Sequence, residues 1–330
     1  MKKNILIIGT GSIALRHLKN VLSIVPKSKI FLFSHDNKRA INISKKLKKK
    51  VFAIKNFSKN FFSHVIIATS TIKHNKYLRL FFENRANIYC EKPLPNDEDL
   101  VFFNKKKIRK KLEKKVKIGY QLRFNPIIKY LVKELKKKEN KKIYLIKFLC
   151  GQNLKDWRKD GNFSKLYSAG SSKYGSVYWE LSHEIDLLNY LVGKPDSLFC
   201  SNINSKTFNM NVHDISNTIF NYGKKGLSCS ISLEMLSPIL YRKLIVVTKS
   251  NYFEADLINN FIIKKNKKNV FKKKFHISRN HIFIEFMKKF LQNKKYSDSF
   301  PFSRLKDALI VTKIIKTMIN SNKQKKLINL

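Results

Sequence analysis

The feature that most constrains this chain is Gly9-Thr10-Gly11-Ser12-Ile13-Ala14, which follows an apolar run at 5–8 and opens an amphipathic stretch at 12–25. Between a strand and a helix, such a turn lets backbone approach a bound anion. Gly9 permits the tight turn, Gly11 admits a pyrophosphate, and the helix amides and dipole at Ser12 and Ile13 hold the charge. Ala14 stands where a third glycine often stands and is small enough for close helix–sheet packing. The following residues supply the sheet that such a turn requires. Apolar segments of strand length at 30–33, 51–54, 65–69, 87–90 and 116–120 alternate with helical patterns at 38–48, 73–84 and 97–114. That order builds a parallel sheet covered on both faces, with ligands at the carboxyl ends of the strands.

From residue 121 the pattern changes. A helix at 125–138 leads to a strand at 143–150, a polar loop at 152–176 and a helix at 177–192 that is closed by Gly193 and Pro195. Strands follow at 197–204, 214–222, 227–234, 242–248 and 251–257, with Gly223-Lys224-Lys225-Gly226 as a hairpin, and helices at 280–291 and 302–320. The expected fold class is α/β: an N-terminal Rossmann domain (doubly wound parallel sheet) at 1–120, and a C-terminal α+β domain with a large, mostly antiparallel sheet at 121–330. The second domain is expected to serve substrate binding and oligomerisation, and the helix at 302–320 to pack back on the rest. A length of 330 residues suits two such domains.

Charge points less clearly to function. Lys and Arg outnumber Asp and Glu by 69 to 22, a net charge of +47, but 59 of the 69 are Lys. Arginine is the better reader of phosphate and base edges, so a solvated basic surface is favoured over a nucleic-acid-binding protein, and no specific nucleic acid is expected. Cys90, Cys150, Cys200 and Cys229 form no CxxC pair and lie in or beside apolar stretches, which fits small buried hydrophobes in a reducing cytoplasm; no metal is expected. The apolar run 5–8 is too short for a signal sequence, and no membrane partner is expected.

Several residues after the strands carry candidate chemistry. Ser34 ends the second strand where an NAD enzyme usually has an acid; with Arg39 and Lys38 nearby, NADP is favoured over NAD, although Asp36 can replace the missing acid. Thr69 and His74 follow the fourth strand, and Glu91-Lys92-Pro93 the fifth, where a Lys can place its ammonium over the cofactor crevice. Gln121 and Arg123 follow the sixth; Arg123 can reach either cofactor or a substrate carboxylate. Asp156-Trp157-Arg158 in the polar loop suits a polyhydroxylated ligand or a loop anchor, and His183 and Asp186 share one helical face.

These elements occur together in a known order. The glycine turn, Thr69 with His74, Glu91-Lys92-Pro93, the run from Gly119 to Pro126 (GYQLRFNP), and Glu180-Leu181-Ser182-His183-Glu184-Ile185-Asp186 resemble the glucose-fructose oxidoreductase/inositol dehydrogenase/MocA family over nearly the whole chain. The resemblance implies an NAD(P)-dependent oxidoreductase acting on a CH–OH group of a sugar, cyclitol or sugar derivative. Lys92 would hydrogen-bond the reacting hydroxyl, and His183 would be the acid/base. Gly9, Gly11, Ser12, Ile13, Ala14, Ser34, Arg39, Thr69, His74, Glu91, Lys92 and Gln121 would bind the cofactor. Arg123, Asn125, Asp156, Trp157, Arg158, Glu180 and His183 would bind substrate. A homodimer or homotetramer is implied as well.

Two departures stand out. Many relatives carry three glycines and then an Asp four residues before the His; here the stretch is Tyr174-Gly175-Ser176, Trp179 occupies that position, and Glu180 is the nearest carboxylate. These departures support an alternative, a catalytically silent dinucleotide-binding sensor. The Leu-Ser-His-Glu and Leu-Arg-Phe variants resemble a branch associated with surface-sugar biosynthesis.

Overall fold

The computed structural model describes residues 3–47, 50–157, 174–208, 211–292 and 301–330. They form two compact units: 3–124 with 279–309, and 125–278 with 310–330.

In the first unit the strands are β1 (Asn4–Ile8), β2 (Lys29–Phe33), β3 (Val51–Ile54), β4 (His64–Ile67), β5 (Asn87–Cys90) and β6 (Val116–Ile118). They alternate with α1 (Ser12–Ile24), α2 (Asn37–Lys46), α3 (His74–Leu80), α4 (Glu98–Asn104) and α5 (Lys106–Glu113). The six strands are parallel in the order β6-β5-β4-β1-β2-β3, and Ser303–Arg304 pairs antiparallel at the β6 edge. β1 crosses through α1 to β2 on one side, while β4 lies on its other side. The strand order therefore reverses between β1 and β4, where a ligand crevice opens at the carboxyl ends. Near-continuous apolar runs are what strands buried on both faces require, and Ile5, Leu6, Ile7 and the equivalent residues of β4 and β5 are fully buried. The expected single helix at 97–114 is two helices, because Lys105 leaves helical geometry at ψ 123°. Asn104 at that break bonds back to the Leu100 carbonyl at 3.1 Å, local competition that weakens helical continuity.

The second unit contains α6 (Pro126–Leu135), α7 (Val177–Glu180), α8 (His183–Val192) and strands β7 (Ile143–Gly151), β8 (Ser197–Ile203), β9 (Ile215–Tyr222), β10 (Leu227–Glu234), β11 (Tyr241–Thr248), β12 (Tyr252–Asp256), β13 (Phe261–Lys265) and β14 (Val270–Lys274). With a short final strand, Ile328–Asn329, they form a nine-stranded sheet in which the β7–β10 pair alone is parallel. The expected helix at 177–192 breaks at Leu181 and Ser182, so that His183 opens α8. β13 and β14 were not expected. Their lysines hide the two-residue period, and the turn between them is built by Asn266, whose side chain accepts from the backbone of Lys268 and Asn269 at 2.9 and 2.8 Å.

Helix α9 (His281–Leu291) returns to the first unit and adds Phe286, Met287, Phe290 and Leu291 to its core beside Phe124 and Phe302. Helix α10 (Leu305–Gln324) begins in the first unit and continues in the second, where Ser321 and Asn322 accept from the backbone of Cys200 and Asn202 on β8. All four cysteines are buried free thiols. No helix among the described residues is long and apolar enough to cross a membrane.

Candidate active site

The glycine turn has the geometry its sequence asks for. Gly9 lies at φ +122°, and a Cβ there would run into the Ala68 carbonyl at the end of β4, so the crossing of β1 and β4 admits glycine only. Gly11 caps α1 in extended geometry with no side-chain cap, and nothing lies within 4 Å of the place its Cβ would occupy. The 13-residue helix that follows has no acidic residue in its first turn to compete for its opening amides. That cradle fits a pyrophosphate. Ala14 is buried as the close helix–sheet approach requires.

Around the end of β2, the Ser34 and Thr10 hydroxyls lie 3.2 Å apart. His35 Nε2 is 3.3 Å from the Tyr77 hydroxyl, and Asp36 accepts from the Arg39 backbone at the start of α2 at 3.4 Å. The carboxylate nearest in sequence to the missing strand-end acid is therefore a helix cap. Lys38 and Arg39 are exposed.

The loops after β4 and β5 are tied together by buried His74. Its Nδ1 lies 2.9 Å from the Pro93 carbonyl and its Nε2 3.1 Å from the Thr69 carbonyl. Burial lowers its pKa, against the two carbonyls, which raise it. Thr69 itself bonds the Ser70 carbonyl at 3.2 Å. Lys92 is half-buried, its peptide to Pro93 is cis, and the preceding Glu91 is enclosed by His17, Tyr89 and Gln121. Gln121, expected at the cofactor, is thus buried against Glu91.

Arg123 is 3% exposed, and its guanidinium donates to Asp307 at 3.2 Å and to the Phe302 carbonyl at 3.4 Å, so it anchors the returning segment. Asn125 caps α6 by accepting from the Ile127 backbone at 2.8 Å, with Pro126 at the first helical position.

In the second unit, half-buried His183 opens α8 and buried Asp186 lies one turn on. Between them in sequence, Glu184 pairs with the Arg242 Nε on β11 at 2.8 Å. Burial opposes the Arg242 cation, but Glu184 and the neighbouring Cys150 outweigh it and the net shift is upward; burial first, then Glu184, pushes the Cys150 thiol up to about 12. Glu180 is half-buried on α7, and the Trp179 ring meets Tyr174 edge-on at 5.1 Å. Asp156 is exposed and Trp157 half-buried in the turn at 154–157, while Arg158 lies outside the described residues. Sequence reasoning passed over His17, Tyr89, Glu184 and Arg242. For Tyr89 the signal was its two-residue step to Glu91 along β5, and for Glu184 its place inside a polar helix start. Among the described residues, no three His, Cys, Asp or Glu side chains are grouped to hold a metal.

The comparisons with known proteins bear on the fold. Residues 3–118 match the model of the Gfo/Idh/MocA oxidoreductase family, described as having an NAD-binding Rossmann fold. The match covers the parallel sheet of the first unit and its helices up to β6. No curated protein matches the sequence. Solved structures share the fold of both units: a myo-inositol dehydrogenase from Corynebacterium glutamicum (17% identity, TM-score 0.77, covering 100% of this chain and 99% of that one) is one. Levoglucosan dehydrogenase in complex with NADH and levoglucosan (14%, 0.85, covering 100% and 99%) is another. A third is a UDP-N-acetylglucosamine 3-dehydrogenase from Acidithiobacillus ferrooxidans (14%, 0.76, covering 99% and 100%). The matched segment lies in the first unit, and the likeness of the second unit, with its mostly antiparallel nine-stranded sheet, is one of fold.

Proposed function

We propose that the chain is an NAD(P)-dependent oxidoreductase that interconverts a hydroxyl and a carbonyl of a sugar, cyclitol or sugar derivative. The uncrowded glycine turn at Gly11, at the N-terminus of α1, is the observation that carries the reading, since it fits a dinucleotide pyrophosphate. When bound, the nicotinamide supplies the hydride chemistry. Lys92 hydrogen-bonds the reacting oxygen and stabilises negative charge developing on it, and His183 takes or returns its proton. Asp186, one helical turn away, orients the imidazole. Glu180 stands in for the relatives' missing acid, and Trp157 with Asp156 and Arg158 meets the sugar. His74 and Gln121 act on the cofactor through the loops they hold.

A neutral polyol suits the site better than a sugar acid, because Arg123 and Arg242 are already paired with Asp307 and Glu184. NADP is preferred over NAD on the neutrality of Ser34, the exposure of Arg39 and Lys38, and the capping role of Asp36. The four buried thiols support a cytoplasmic setting, and the Leu-Ser-His-Glu variant supports a role in surface-sugar synthesis. A second copy covers the open face of the large sheet, where Phe199, Ile203 and Ile219 are 40, 46 and 58% exposed, giving a dimer or tetramer by light scattering. Levoglucosan and myo-inositol are neutral polyols taken by proteins of this fold and lead the list of substrates to test. The decisive experiment screens sugars, sugar nucleotides and polyols for reduction of NADP and NAD. Tight dinucleotide binding with no reduction across the panel would overturn the enzyme reading in favour of a silent sensor.

A further inference from the structure

What holds Lys92 lies one residue upstream. Glu91 is 6% exposed and gathers donors on both oxygens. Its Oε1 receives His17 Nε2 at 2.7 Å, the Tyr89 hydroxyl at 2.6 Å and Gln121 Nε2 at 3.2 Å. Its Oε2 receives the Lys92 backbone N–H at 3.3 Å. The Gln121 amide also donates to the Tyr89 hydroxyl. Burial works to raise the Glu91 pKa, but these donors, His17 first, overcome it and hold the carboxyl below its ordinary range. Gly119 lines the cluster so closely that a Cβ there would sit 2.6 Å from the Tyr89 hydroxyl and 3.0 Å from Glu91 Oε2. A buried carboxylate with this many donors is a fixed point in the fold.

One donor comes from the cofactor helix itself. His17 stands on α1, the helix whose N-terminus forms the Gly11 cradle, and it is 1% exposed. Its ring packs edge-on against Tyr89 at 4.8 Å, and its buried Nδ1 has no hydrogen-bond partner, so its hydrogen bonding is committed to Glu91 through Nε2.

We propose that His17 is a positioning residue that fixes the Lys92 turn through Glu91, and so couples the placement of the Lys92 ammonium to the helix that cradles the dinucleotide. The proposal rests on the reading of Lys92 given under Proposed function. A histidine that only fills space would affect stability alone, whereas a positioning residue changes the surroundings of Lys92 in particular.

The test reads Lys92 directly and needs no substrate. The full chain is acetylated with acetic anhydride at fixed pH, and peptide mass spectrometry follows Lys92 together with exposed Lys29, which starts β2 at the end opposite Ser34. In His17→Leu the Lys92 rate rises about threefold or more, the scale of one lost hydrogen bond, while Lys29 is unchanged. His17→Gln keeps an N–H donor and returns the rate toward that of the natural chain. Tyr89→Phe removes one donor from the same oxygen and gives the same local change if His17→Leu fails to fold. Unchanged Lys92 rates in the folded variants overturn the proposal, and so does equal acceleration at Lys29, which marks general loosening. Undiminished turnover of Lys92→Ala would instead remove the catalytic reading of Lys92 and leave the labelling result standing, so the two failures are distinct.

Discussion

Two buried glutamates adjoin the two candidate catalytic residues, and they are held in opposite ways. Glu91 precedes Lys92 in the first unit and is shared among three side-chain donors and a backbone amide; Glu184 follows His183 in the second and has an ion-pair partner, Arg242, at 2.8 Å. When a distributed set loses one member the remaining donors still satisfy the charge, so the change is local and the cost in global stability small. In a buried ion pair the cost is larger, since removing either partner strands the other away from water. The second unit also holds hydrogen-bonding groups in reserve. Trp157 Nε1, in the turn at 154–157, and Trp179 Nε1 and Ser182 Oγ, at the turn that presents His183, are buried without a hydrogen-bond partner. Such groups cost stability, and they suit a substrate rich in hydroxyl oxygens.

The largest expected effects fall on turnover. Lys92→Ala and His183→Ala should each lower it roughly a hundredfold or more while NADPH binding, followed by its fluorescence, is largely retained. Near-normal turnover in both would end the assignment of the two residues to catalysis.

The next effect tests the comparison itself. Arg242→Met leaves Glu184 buried and unpaired, and with the Arg side chain one-fifth exposed the cost should lie near the lower end of the usual range, about 3 kcal/mol in denaturant unfolding. Tyr89→Phe removes one of several donors to Glu91 and should cost about 1 kcal/mol. Equal costs would mean that the two carboxylates are held alike. The pH dependence follows from the same contrast. Because the folded state holds Glu91 below the ordinary carboxylate range, its stabilisation is complete above that range and is lost as pH falls through the lowered value. Tyr89→Phe should move that loss toward higher pH, as read by unfolding midpoints across an acid series.

How much of this was legible in the sequence depended on whether a residue's partners were local. The glycine turn, the alternating strands and helices of the first unit and the hairpin at 223–226 follow from spacing within a few residues, and the structure contains them, with the helical pattern at 97–114 divided in two at Lys105. Arg123 and Asn125 were legible as polar residues after a strand, but not as a pair for Asp307 and a cap for α6. The first contact spans 184 residues and depends on where α10 starts. His17 looked like one more polar residue in a helix, because its partner is 74 positions away. β13 and β14 were hidden for a different reason. Strands at a sheet edge bury little, and β14 is exposed along its whole length, so no apolar period marks it.

The smallest expected effect concerns the dinucleotide and sharpens the account of the first unit. Ser34 follows β2 at the place where a carboxylate would accept from the adenosine ribose and repel a 2′-phosphate, and its hydroxyl lies 3.2 Å from that of Thr10, on the glycine turn. Asp36, the other acid within reach in sequence, accepts from the Arg39 backbone at the start of α2. Introducing a charge at Ser34 therefore changes the electrostatics at the strand end without disturbing a buried network. Ser34→Asp should weaken NADP binding by about 1–3 kcal/mol, the order expected for like charges at a partly desolvated anion site, and improve NAD relative to it. Paired titrations of both dinucleotides against the natural chain and the variant measure this. A natural chain that already prefers NAD by about tenfold would mean that Asp36 or another group holds the ribose, and the NADP preference would be withdrawn.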